Sequence, residues 1–208
     1  MVSTSFLVGL VAMATGAVST PLRPASLADR SPIPGFNIEV LEWIAQVEAD
    51  SEIISVNGTA QDVYTALEDI DPELEGKLLG GGPSPLRLDW HKTYRMRSYK
   101  CSHPSGNALV EAIQEGIIDL IMVPGRPKKG PSPGSCVQVS CSYGSAIWWC
   151  NESGVQSAGR NVLDPFNSIA EGAAFLMVKC SDEDRDWFAG EVALEEEWKV
   201  VVGGVDSC

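Results

Sequence analysis

The two histidines of the chain, His91 and His103, flank the basic stretch HKTYRMRSYK (91 to 100). Brought into one cleft, two imidazoles would supply the general acid and general base of a small ribonuclease-like hydrolase. Asp89 lies two residues before His91. Two histidines are thin support for such a site, and polar loop residues are the simpler reading of both. The run SDEDRD (181 to 186) offers oxygen ligands for calcium. It lacks the glycine and the ligand spacing of a dedicated calcium loop, so a solvated acidic turn is expected. Glu111 and Glu115 share one helical face, which points to solvent rather than to a glycosidase pair. No C-x2-C pair accompanies the two histidines, which argues against zinc. Neither an H-E-x-x-H helix nor a phosphate-binding glycine loop is present. The expectation is a protein without cofactor or metal that is not an enzyme.

The six cysteines carry a different chemistry. Cys101, Cys136, Cys141, Cys150, Cys180 and Cys208 all follow residue 100, and an even set of this kind implies disulfides in an exported chain. Their fifteen pairings are open from sequence; in the expected sheet Cys101, Cys141 and Cys180 approach one end and Cys136, Cys150 and Cys208 the other, and Cys101 with Cys180 is preferred. Export fits the start MVSTSFLVGLVAMATGAVS, an apolar run followed by small residues at signal-peptidase spacing, read here as a signal peptide over residues 1–19. No stretch is long and apolar enough to predict stable membrane insertion. Two glycosylation sequons, Asn57-Gly58-Thr59 and Asn151-Glu152-Ser153, belong to the same compartment. A net charge of -13 disfavours nucleic acid and anionic membranes as partners.

The elements that must position these residues divide near residue 80. Residues 20–86 form an acidic, cysteine-free N-terminal extension and linker, a propeptide or, more simply, an appendage packed on the main domain. Within it FNIEVLEWIAQVEAD predicts a helix, IISVNGT a short strand, and Thr59 with Asp62 a capping box for a second helix. LLGGGPSPL (78 to 86) reads as a linker. Residues 87–208 form a disulfide-stabilised α/β domain with the order strand, helix, strand, strand, helix, strand. That order is the split β-α-β (ferredoxin-like) motif of the α+β class. It predicts a two-layer sandwich whose four-stranded antiparallel sheet has the order 4-1-3-2 and carries both helices on one face.

In this topology CVQVSC and SAIWWC make a hairpin around Ser142-Tyr143-Gly144-Ser145. Val137, Val139, Cys141, Ile147 and Trp149 then face the helices, while Gln138, Ser140 and Trp148 face away. The extension or the cystines are expected to cover Trp148; an exposed ligand platform is the alternative. Strand 1 would place Arg95 and Arg97 beside Glu195-Glu196-Glu197 in a structural charge ladder. PGRPKKGPSPG (124 to 134) reads as an exposed loop, and Arg126, Lys128 and Lys129 on it join Trp148 as the candidate interaction surface.

The series strand–Cys101, helix, Cys136-VQVS-Cys141, SAIWW-Cys150, IAEGAAFLMVK-Cys180 and closing GEVALEEEWKVVVGGVDSC resembles small secreted fungal proteins of the killer-toxin-like class, which includes necrosis-inducing effectors. The resemblance spans residues 93–208 and implies an α/β sandwich with disulfides that acts outside the producing cell on a competitor or host. It transfers no active residue to this chain. The expected function is a secreted, non-catalytic interaction protein, effector-like or toxin-like, with an extracellular protein or cell-surface target as partner. The alternative is the hydrolase built on His91 and His103.

Overall fold

The computed structural model describes residues 35–45, 53–73, 96–123, 125–153, 167–182, 184–195 and 197–208. The signal segment, the 78–86 linker, Asp89, His91 and Arg95 lie outside them.

The largest unit is a six-stranded sheet, not the four-stranded one expected. Its strands are β1 (Asn37–Glu39), β4 (Met96–Lys100), β7 (Ser135–Ser142), β8 (Ser145–Asn151), β10 (Gly190–Leu194) and β11 (Trp198–Gly204), in the order β1-β7-β8-β11-β10-β4. Strand β1 runs parallel to β7 and the other pairings are antiparallel. The mixed α/β content and the antiparallel pairing of the inner strands follow the expectation, whereas the order 4-1-3-2 does not. GEVAL (190 to 194) is a strand in its own right, and after it Glu197, with a φ of 59°, donates its N–H to the Leu194 carbonyl at 3.3 Å. Strand β10 therefore separates β4 from β11 and takes the place that the four-stranded scheme gave to a direct pairing.

A second sheet has the order β3-β2-β6, with β2 (Glu42–Ala45), β3 (Ile54–Asn57) and β6 (Gly125–Pro127). A third pairs β5 (Ala108–Leu109) with β9 (Trp187–Phe188). The helices are α1 (Ala60–Glu68), α2 (Val110–Met122) and α3 (Asn167–Cys180). At the start of α1 the Asp62 carboxylate accepts bonds from the Thr59 backbone N–H at 2.7 Å and from its hydroxyl at 2.9 Å, so the capping box forms as the sequence predicts.

The helix expected over 36–50 is instead β1 and β2 in its described part. Leu41, Trp43 and Ala45 are all buried and alternate with half-exposed Glu42 and Ile44. That is the period of a strand, which the apolar spacing at Ile38, Leu41, Ile44 and Ala45 masks. The segment is not peripheral: Trp43, Val63 and Leu67 lie in the same core as Ile113, Leu120, Val139, Trp149, Ile169, Leu176 and Val200.

The β7–β8 hairpin turns at Tyr143 and Gly144, where φ is 47° and 66°. Two left-handed residues match the twist of the flanking strands, and glycine adopts that conformation without strain. Pairing runs from Ser142 with Ser145 to Cys136 with Cys150, interrupted by a bulge between Gln138 and Ser140. The bulge leaves Val139 as the extra residue and reverses the faces beyond it. Ser140 thus points toward α2, and Cys141 turns to the far side with Trp148, opposite to the alternation expected for both.

Candidate functional site

Arg126 on β6 and Lys128 and Lys129 just after it are exposed, as expected, but the segment 125–134 is not a free loop. Its first residues add to β2, and the Lys128 backbone N–H donates to the Glu42 carbonyl at 2.8 Å. The Lys128 ammonium pairs with the Glu42 carboxylate at 2.7 Å. The Ser132 N–H donates to Glu39 Oε2 at 3.1 Å, and the Asn151 side-chain amide donates to the Pro131 carbonyl at 2.9 Å. Gly130 lies against the Trp149 indole so closely that a Cβ there would stand 2.8 Å from the ring. Burial pushes the Glu39 carboxyl upward, but hydrogen bonds from Ser132 and Ser135 and the charge of Lys129 hold it below the usual carboxylate range. Hydrogen bonds from Lys128 and Ser55 do the same for exposed Glu42.

The part that Glu39, Glu42 and Asn151 play in fixing this segment escaped the sequence reading, which took Asn151 only as a sequon. The signal was the acidic pair of NIEVLE facing the basic KK, but some ninety residues separate them and nothing local joins them. Also passed over was GPSPG (130 to 134), which spells the G-x-S-x-G of a nucleophile elbow. An elbow needs a strand-to-helix turn. Here the next element is strand β7, and the Ser132 carbonyl accepts the Ser135 N–H at 3.0 Å. Ser132 is a turn residue.

Trp148 is 5 % exposed and offers no platform. It lies with Cys136, Cys141, Cys150, Ala146 and Val201 on the face opposite the helices, and Phe36, Ile38 and Val205 pack against that cluster. The candidate surface therefore reduces to Arg126, Lys128 and Lys129. Three disulfides form: Cys101–Cys180, Cys136–Cys150 and Cys141–Cys208. The first is the pair preferred from sequence. Cys208 sits at the turn end of the hairpin rather than at the end with Cys136 and Cys150, because the Val205 N–H donates to the Gly144 carbonyl and carries the segment there.

Beside the cystine cluster the same face carries a row of alternating charges. Arg97 pairs with Glu152, which also holds Lys199 at 2.6 Å. Lys199 reaches Glu191 at 3.4 Å, and Glu191 holds Lys100 at 3.1 Å. A charge ladder exists, then, and the carboxylates that hold Arg97, Lys199 and Lys100 in it are Glu152 and Glu191; Arg95 and Glu196 lie outside the described residues. Burial alone would raise the Glu191 carboxyl, yet Lys100 and Lys199 together bring it below the ordinary range.

His103 makes local bonds, its Nδ1 lying 3.0 Å from the Ser105 hydroxyl and accepting the Ser105 N–H at 3.3 Å. Burial lowers its pKa; Glu191 opposes that shift, and Lys199 and Lys100 add to it. Its proposed partner, His91, lies outside the described residues. Asp182 pairs with Arg185 at 4.0 Å in an exposed turn, and Glu111 and Glu115 are exposed on α2. Among the described residues no three His, Cys, Asp or Glu side chains cluster to hold a metal, and no helix is long and apolar enough to cross a membrane. Compared with known proteins, the chain matches no family model, no curated sequence and no solved structure.

Proposed function

We propose that the chain is a secreted, non-catalytic interaction protein, effector-like or toxin-like, that binds an extracellular protein or cell-surface target through the segment 125–134. One observation carries this reading: three exposed cations stand on a backbone tied down by β2, Glu39, Asn151 and Trp149. A surface already rigid before it meets a partner loses little conformational entropy on binding. Cations on a molecule of net charge -13 also orient the approach of a partner, since the rest of the surface repels what this segment attracts. The three disulfides suit an oxidising compartment. The killer-toxin-like resemblance agrees with an action outside the producing cell.

The test is binding of labelled, oxidised protein to intact target cells, comparing the parent with Arg126→Glu/Lys129→Glu. Arg126 makes none of the bonds that hold the segment, and Lys129 acts on it only through its charge on Glu39 and Glu42, whose hydrogen bonds from Ser132 and Lys128 remain, so the fold should persist. Loss of roughly tenfold or more in affinity is expected, the scale of one interface anchor. Unchanged binding by a folded double variant sinks the assignment of this surface.

A further inference from the structure

The two glycosylation sequons meet opposite fates in the fold. Asn57 ends β3, the outer strand of its sheet, with an exposed side chain that no described residue bonds. Asn151 is 7 % exposed. Its Nδ2, the atom to which a sugar would be joined, donates to the Pro131 carbonyl at 2.9 Å. Its Oδ1 accepts the Ser153 N–H at 2.9 Å and the Ser153 hydroxyl at 2.6 Å. A sugar on Nδ2 needs room that this buried site lacks, and it would unseat the segment that ends at Gly134, whose N–H donates to the Asn151 carbonyl at 3.0 Å.

We propose that the folded protein carries an N-linked glycan on Asn57 and none on Asn151, an inference that rests on the reading of the chain as exported. In the transfer, the Asn57 amide nitrogen bonds to the anomeric carbon of a lipid-pyrophosphate-linked oligosaccharide. The bond from that carbon to the pyrophosphate oxygen breaks, the lipid pyrophosphate leaves, and the amide proton passes to a base of the transferase. Transfer precedes folding, so the fold acts as a filter: a chain modified at Asn151 does not close around the Pro131 carbonyl. The Asn57 glycan stands across β2 from the cationic segment, because Asn57 pairs with Glu42 and Glu42 holds Lys128. It flanks those cations without displacing them.

The experiment is translation of the full chain with microsomes, followed by site mapping of glycopeptides from the oxidised, protease-resistant fraction. One glycan on Asn57, lost in an Asn57→Gln variant that still oxidises and resists protease, is the expected result. A glycan on Asn151 in that fraction overturns the proposal, as does a vesicle-protected chain with unmodified Asn57. A chain left outside the vesicles and digested there overturns the export reading and the glycan with it.

Discussion

Lys199 lies near the middle of the row of charges and is almost fully buried, with a carboxylate on either side of it at Glu152 and Glu191. A buried ammonium is tolerated only while such partners stay ionised, because an uncompensated charge out of water is destabilising. This makes acid the weak direction for the fold. Glu191 and Glu39 have folded-state pKa values below their ordinary 4.5, and His103 lies below its ordinary 6.5. In each case the folded state binds fewer protons than the unfolded chain. The stabilisation is therefore complete above the unfolded value and is lost as pH falls through the folded one. Urea midpoints should decline below about pH 6.5 through His103 and more steeply below about 4.5 through the carboxylates. His103→Gln should flatten the first part of that decline, and a first part that survives the substitution would remove His103 as its source. Asp119, raised by burial and by the nearby charge of Glu115 against the opposing Gln61 bond, works the other way in the range just above 3.8.

At the scale of elements, the polar contacts of α1 with the disulfide-bonded part run through one side chain, Gln61, beside the apolar packing of Val63 and Leu67. Gln61 Oε1 accepts the Cys141 N–H at 3.2 Å, just past the β7 bulge, while Gln61 Nε2 donates to Asp119 at 2.8 Å and to Ser140 at 2.9 Å. Strand β1 pairs β7 only through Val137, so beyond it the outer edge of β7 leaves the Cys141 donor open and the helix supplies its acceptor. Gln61→Ala leaves three polar groups without this partner, and a stability loss of about 1–3 kcal/mol is expected from denaturant unfolding. A loss within ~0.3 kcal/mol would mean that water substitutes fully for the side chain. The sequence showed α1, its cap and the Tyr143–Gly144 turn because each is written in contiguous residues. It hid the bulge because nothing in the alternating run CVQVSC marks it, and the Gln61 contacts beside it come from some eighty residues away. It likewise hid β10, whose five residues fall within the closing segment that reads as one strand until β4 and β11 pair on either side.

Across the whole molecule, a boundary near residue 80 is visible in composition, yet the core does not respect it. Trp43 is fully buried, donates its indole N–H to the Gly58 carbonyl at 2.8 Å, and shares one cluster with Trp149 and Val200. Trp43→Ala should destabilise the entire fold by about 3–5 kcal/mol in a single transition. Two separated transitions would show that the N-terminal part unfolds on its own. Cysteine placement made Cys101–Cys180 readable, whereas Cys141–Cys208 depends on the bulge that turns Cys141 to the far face and on the path of the chain after β11. Strand β11 has one more consequence. It lies between β8 and β10, with Val200 and Val202 wholly buried, and it is built from residues 198–204. A nascent chain that has already made β8 must wait on the order of several seconds, at ~5–20 residues per second, before the strand that covers its edge emerges. During that interval Ile147, Trp148 and Trp149 stand on an open, apolar sheet edge, and the newborn protein is a natural client for a chaperone that shields such edges.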